Sequence, residues 1–287
     1  MEIMMFKTNS IDSARKLFDC IENPTIEISG KIKEIRPLLD TEFWPDAVPD
    51  GLIVKTEEQA KLRARSILYA YNMVGIPNTS ESISDQMLDY GCGDGNTVLC
   101  AKEMGIDAYG YDIKPHSNWG TDNNAFTTDL ANIRGRIFKH ILIYDVLDHV
   151  TKEQAIDILT NVKKSCDSNT TISLRVHPWL SRHGAHTYYK INKAYAHLFL
   201  NEEELAVATN ENVTKIYRPM RYYEELINTS GLKVVKLDII RRPIEPFFKN
   251  AMILEKIKEI TGSTGSSSDE WIDTVLSMEF IDYKLSI

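Results

Sequence analysis

Nowhere in the 287-residue sequence do 18 apolar residues run together, so no membrane-spanning helix is expected. The four cysteines, Cys20, Cys92, Cys100 and Cys166, never fall at Cys-x-x-Cys spacing. That argues against a zinc ribbon, a thioredoxin-type motif and a disulfide scaffold, and points to a reducing compartment, the cytoplasm. Residues 1–10 hold Glu2 and only a short apolar patch, which is not the pattern of a signal peptide. No internal repeat recurs at 20–50 residues. Positive charge is in deficit: 33 Lys and Arg against 41 Asp and Glu leave a net charge of −8. Such a balance disfavours whole-surface binding to nucleic acid or to an anionic membrane, and leaves a local basic patch open. What is present is ordinary for a globular chain, with 43% hydrophobic and 26% charged residues. A chain of this length buries a core without metal or disulfide, as one large domain or one domain with additions.

The first 80 residues read as mostly helical, broken by a loop at residues 42–51 that carries Trp44, two prolines and a glycine. Thr56 and Gln59 form a capping box for a helix whose stripe is Ala60, Ala64, Ile67, Tyr71 and Val74, with Gly75 as the stop. From residue 86 the pattern alternates. Strands are expected at 86–90, 107–111, 126–128, 138–144 and 170–176, with helices at 97–104 (Asn96 as N-cap) and 152–164. This rhythm predicts an α/β fold: an open, mostly parallel, Rossmann-like sheet with helices on both faces and ligands at the strand C-termini. After His177 the alternation is interrupted for about 40 residues, then resumes with a helix at 220–229 and a strand at 232–240. Residues 261–268 read as a linker, and Ser267 with Glu270 caps a last helix striped by Trp271, Val275 and Met278. The expected organisation is therefore a helical N-terminal region (1–80) covering the active site, a core (81–250) with an insertion at 177–215, and a C-terminal linker and docking helix (251–287).

The sharpest motif is Asp89-Tyr-Gly91-Cys-Gly93-Asp-Gly95, between a strand and a helix. Gly91 allows the tight turn, Gly93 lets a ligand touch backbone, and Gly95 allows close packing of strand and helix. Alone, such a loop is an ordinary turn. A dinucleotide fingerprint would need glycine at 96, where Asn96 stands, and no Gly-Lys-Ser/Thr phosphate loop is present. Asp112 ends the next strand, 21 residues after Gly91, where a carboxylate can accept both hydroxyls of a ribose.

These residues resemble the class I S-adenosylmethionine-dependent methyltransferases. Asp89 to Gly95 matches the first motif and Tyr111-Asp112 the second. Ile141 to Val150, with Asp145, is similar to the end of the fourth strand in the ubiquinone-biosynthesis-like (type 11) branch. The resemblance covers about residues 85–176 and, more loosely, 214–241. It implies a seven-stranded sheet with the last strand antiparallel, and S-adenosylmethionine as cofactor. It also implies roles: the glycine loop against the methionyl part, Asp112 on the ribose, Thr128-Asp129-Leu130 beside the adenine, and Asp145 near the methionyl amine. It does not name the acceptor. Asn/Asp-Pro-Pro-Tyr after the fourth strand and a Pro-Cys nucleophile are both missing, so the amino-nitrogen and cytosine-C5 chemistries of nucleic-acid methylases are not indicated.

The interrupting segment, Arg175 to His197, holds four of the seven histidines among cations and aromatics. It admits three roles: a packed insertion whose histidines cap carbonyls, a substrate lid with one histidine as general base, or a metal site using His177, His183, His186 or His197. His-x5-His-x2-His matches no spacing of known metal geometry, so metal is not expected. His183 and His186, with His177 beside them, are the candidate catalytic residues; neighbouring Arg175, Arg182, Lys190 and Lys193 should keep an imidazole neutral. The segment also resembles methyltransferase-like proteins of large bacterial viruses, whose setting would be the host cytoplasm. The expected function is methyl transfer to an oxygen or nitrogen of a small-molecule acceptor. The alternatives are a nucleic-acid methyltransferase, a non-catalytic module that binds the cofactor, and a nicotinamide oxidoreductase, which Asn96 disfavours.

Overall fold

In the computed structural model the described residues are 11, 41, 43–48, 56–70, 87–120, 124–184, 186, 188, 190–200, 203, 221–260 and 268–287. Several expected features lie outside them: most of 1–55, Tyr71, Val74, Gly75, Cys20, the linker at 261–267 with the Ser267 cap, and residues 204–215 of the insertion. Among the described residues, no helix is long and apolar enough to cross a membrane.

Seven strands form one sheet: β1 (Met87–Tyr90), β2 (Ala108–Tyr111), β3 (Phe126–Thr127), β4 (His140–Tyr144), β5 (Thr171–Val176), β6 (Lys233–Arg241) and β7 (Met278–Ser286). Their order is β3-β2-β1-β4-β5-β7-β6. Strands β1 to β5 pair in parallel and β7 is antiparallel, so the expected α/β fold is present. The central strands are mostly apolar, as in a parallel sheet covered on both faces; Leu88, Ile141, Leu142, Ile143, Ile172 and Leu174 are fully buried, with Asp89, Ser173 and Arg175 as buried polar exceptions.

By contacts the chain divides into two compact units. The first comprises Val54–Val176, Glu224–Lys236 and Asp282–Ile287. It holds α1 (Glu57–Ala70), α2 (Asn96–Glu103) and α3 (Lys152–Lys163). Helix α1 starts at the expected capping box: Gln59 N–H donates to Thr56 Oγ1 at 3.2 Å, and Thr56 N–H to Gln59 Oε1 at 2.9 Å. It buries Ala64, Ile67 and Leu68 against Val98, Cys100 and Ala101 of α2. By contacts, α1 groups with the sheet. A second capping box, Thr151 with Gln154, opens α3, which buries Ala155, Leu159 and Val162 at i, i+4 and i+7.

The second unit comprises Met1–Ile53, His177–Tyr223 and Leu237–Ile281. It includes the insertion with the short α4 (Ala196–Phe199), α6 (Ala251–Ile260) and α7 (Ser268–Ser277); α5 (Tyr222–Thr229) falls largely in the first unit. The insertion grips residues 44–48 by backbone. Every carbonyl from Trp44 to Val48 accepts a hydrogen bond from residues 182–194: Lys193 Nζ on Trp44, Ala194 N on Pro45, Arg182 on Asp46 and Ala47, and Asn192 Nδ2 on Val48. Trp44 itself is buried and donates its indole N–H to Ala194 O at 3.0 Å.

Two expectations need correction. Asn96 is not the N-cap of α2: Gly95, at φ +79°, holds that position, and Asn96 is the first helical residue. The last helix does not run through Met278. It stops at Ser277, and the following nine residues form β7 between β5 and β6, so the C-terminal segment is part of the core sheet. Just past β6, Arg242, its side chain 15% exposed, pairs with Glu279 of β7 at 3.4 Å.

Candidate cofactor site and histidine cluster

The end of β1 turns at Gly91 (φ +85°), and the amides of Gly91 and Cys92 both donate to Tyr111 O, at 2.7 and 3.0 Å. This ties the loop to β2. A Cβ on Gly91 would lie 2.4 Å from Val146 Cγ2, so the turn has no room for a side chain. Gly95 N–H donates to Cys92 O at 2.9 Å and closes the turn. Cys92 and Cys100 are buried, as packing residues should be, and burial pushes the Cys92 thiol up.

Gly93 differs. At φ +51°, a Cβ there would meet nothing within 4 Å. Its N–H donates to Asp112 Oδ2 at 2.9 Å, and its carbonyl accepts the indole N–H of Trp119 at 2.9 Å. The Asp112 carboxylate also accepts Lys114 N–H at 3.3 Å. Below the loop, Asp89 is buried in β1 with its pKa raised to about 7. Desolvation is the main cause, the carboxylates of Asp94 and Asp112 add to it, and Arg63 opposes it.

At the end of β4, Asp145 takes φ +56°, a conformation that costs a non-glycine residue about 1–2 kcal/mol. Its N–H donates to Arg175 O at 3.1 Å, and its Oδ2 pairs with Arg63 Nη2 of α1 at 3.1 Å. The Arg63 and Arg175 guanidinium carbons lie 5.2 and 5.0 Å from the Tyr144 ring centroid. Arg175 forms a bidentate pair with Asp282 of β7, at 2.5 and 2.6 Å. Asp129 lies two residues past β3, exposed, and its carboxylate caps a short turn by accepting Ala131 N–H at 2.8 Å. Asp89, Gly91, Gly93, Gly95, Asp112, Asp129 and Asp145 thus all lie in the first unit, in β1 or at the C-terminal ends of adjacent parallel strands. Sequence reasoning missed Arg63 and Trp119. A lone arginine on a solvated helix and a tryptophan in a loop carry no local signal; each reaches the site from a distant stretch of chain.

The four histidines from His177 to His197 lie in the second unit. His177 sits against His183, His186 and Phe280, with ring centroids 5.4, 5.0 and 4.6 Å away. His183 Nε2 lies 2.8 Å from Ala47 O, so that nitrogen carries the proton. His197 Nε2 does the same for Trp179 O at 2.6 Å. Two of the four imidazoles therefore cap carbonyls, and each spends one ring nitrogen in doing so. The His183 pKa falls well below its usual value. Burial is the first cause and His177 the second; Arg242 and Arg182, the kind of cations expected to do this, contribute less. Gly184 passes so close to Trp179 that a Cβ would lie 2.0 Å from its carbonyl oxygen, and His186 follows at φ +52°.

No family model and no curated protein matches this sequence. Solved structures do. A S-adenosylmethionine-dependent methyltransferase from Archaeoglobus fulgidus superposes with a TM-score of 0.52 at 14% identity, over 82% of this chain and 96% of its own. The chain has the S-adenosylmethionine-dependent methyltransferase fold. At 14% identity the likeness is one of fold. Two further matches have lower TM-scores. A 1,6-didemethyltoxoflavin-N1-methyltransferase from Burkholderia thailandensis gives 0.44 at 14% identity, covering 91% and 92% of the two chains. A S-adenosylmethionine-dependent methyltransferase from Leishmania major gives 0.43 at 11% identity, covering 99% and 98%.

Proposed function

We propose that this protein is a S-adenosylmethionine-dependent methyltransferase acting on an oxygen or nitrogen of a small molecule. The observation that carries the reading is the open space over Gly93 beside the Asp112 carboxylate, in a turn whose other glycines are closed in by packing. The residues fit the cofactor. Gly93 admits a ligand against backbone, Asp112 can accept two ribose hydroxyls, and Asp129 borders the adenine end. Asp145 offers its carboxylate to the methionyl ammonium, and Arg63, beside it, its guanidinium to the methionyl carboxylate. When bound, the sulfonium supplies an electrophilic methyl group. The chain's own work is to hold donor and acceptor in line, exclude water and take a proton from the acceptor. For the proton, a neutral imidazole of the 177–197 segment is assigned; His183 is neutral, with Nδ1 as its unprotonated nitrogen.

Calorimetry with S-adenosylhomocysteine and with NAD tests the binding half. The wild type is expected to bind the former and not the latter. Asp112→Ala removes charge-assisted hydrogen bonds worth about 1.5–3 kcal/mol, or roughly 10–150-fold in affinity. Preference for NAD would end the proposal. For chemistry, His183→Gln and His186→Gln are each expected to lower turnover about 10²–10⁴-fold while cofactor affinity holds.

A further inference from the structure

We infer that Trp119 is a positioning residue that holds the Gly93 segment of the glycine loop in its cofactor-binding conformation; this rests on the methyltransferase reading. Gly93 is the loop position with most backbone freedom, having no side chain and no neighbour within 4 Å of where one would be. Its two flanking peptide groups could therefore rotate. Both are pinned from one segment, the chain between β2 and β3. The Cys92–Gly93 peptide is held through its N–H by Asp112 Oδ2, at 2.9 Å. The Gly93–Asp94 peptide is held through its carbonyl by the Trp119 indole N–H, also at 2.9 Å. A trans peptide points its C=O and N–H in opposite directions, so fixing the Gly93 carbonyl also fixes the Asp94 amide.

Trp119 is itself immobilised. It stacks on Phe126 at 5.0 Å with 9° between the rings, and both rings close over Gly95, where a Cβ would lie 2.7 Å from Phe126 and 3.0 Å from Trp119. The two pins differ in what the cofactor asks of them. Ribose hydroxyls would share the Asp112 carboxylate with Gly93 N–H, whereas nothing in the proposed binding mode uses the atoms of the Trp119 bond. Trp119 therefore keeps the loop in place while Asp112 takes on further partners.

The test uses the full chain with Trp119→Phe, which keeps a ring against Phe126 and loses only the donor and some area. Hydrogen exchange of the amides in residues 91–95 is measured without ligand, and S-adenosylhomocysteine affinity by calorimetry. Exchange is expected to quicken at least tenfold and affinity to fall about tenfold, with the thermal midpoint near that of the wild type. Should Trp119→Phe not fold, a benzothienylalanine at 119 has the indole shape without the N–H and replaces it. Wild-type exchange or wild-type affinity in a folded variant overturns the inference. If the wild type itself binds no S-adenosylhomocysteine, the methyltransferase reading fails, and the ligand-free exchange still decides whether Trp119 pins the loop.

Discussion

A Cβ on Gly91 would strike Val146 at 2.4 Å, while one on Gly93, two positions later, meets open space. Both residues have positive φ, so an alanine at either pays about 1–2 kcal/mol for backbone alone. Gly91→Ala adds a clash inside packed structure, worth about 1–3 kcal/mol more. Urea unfolding should therefore show Gly91→Ala clearly less stable than Gly93→Ala. Ligand binding should show the reverse: Gly93→Ala folds but loses at least tenfold in S-adenosylhomocysteine affinity, because its methyl fills the space the ligand needs. Equal stabilities would mean that Val146 simply moves aside. Asp89, beneath the same turn, makes stability depend on pH. Its carboxyl is raised from 3.8 to about 7 in the folded chain, so the native state keeps a proton that the unfolded state has lost. The stabilisation is complete below about pH 4 and disappears as pH rises through about 7. Asp89→Asn mimics the protonated form at every pH. Relative to wild type, its unfolding free energy should rise by about 2–3 kcal/mol between pH 5 and pH 8; a flat difference would place the Asp89 pKa near its ordinary value.

Legibility in the sequence followed locality. The strands β1, β2, β4 and β5 could be read within about two residues, since each is a short apolar run next to a turn signal. The glycine loop and Asp112 were readable for the same reason, lying at two consecutive strand ends. Strand β7 was not. From Glu279 to Leu285 alternate residues are buried, a period-2 pattern, but the buried set includes Glu279 and the opposite set includes Phe280. The polarity that normally reveals a strand is thus scrambled, and the helical stripe of Val275 and Met278 ran on into it. Glu279 is buried because Arg242 pairs with it, which only the fold reveals. The same strand carries Asp282, whose pair with Arg175 is bidentate, with the Arg175 side chain 7% exposed. Asp282→Ala would leave that guanidinium buried without its carboxylate, at a cost of about 3–5 kcal/mol. Chemical denaturation measures it, and a loss under 1 kcal/mol would show that the pair is solvated in solution.

At the scale of the whole molecule, the open question from sequence was whether the basic, aromatic insertion reads nucleic acid. The net charge of −8 opposes it, and of the described cations between Arg175 and Lys193 three are paired within the fold. Arg175 is bound to Asp282, Arg182 to Glu245 and the carbonyls of Asp46 and Ala47, and Lys193 to Asp46 and the Trp44 carbonyl. Trp179, which would have to stack on a base, is buried. A phosphate backbone would have to compete for cations already satisfied within the fold, and each phosphate neutralised would appear as counterion release. The expected result is therefore no saturable binding of a labelled single-stranded RNA by fluorescence anisotropy at 50 mM salt. S-adenosylhomocysteine affinity should change little between 50 and 200 mM salt, because that ligand carries no net charge and releases no condensed ions. Saturable RNA binding that weakens with a log–log salt slope of about −2 or steeper, equivalent to roughly three phosphates on a single strand, would instead assign the acceptor to nucleic acid. In that outcome Lys190 and Tyr188, which are less buried than Trp179, would be the residues to substitute first.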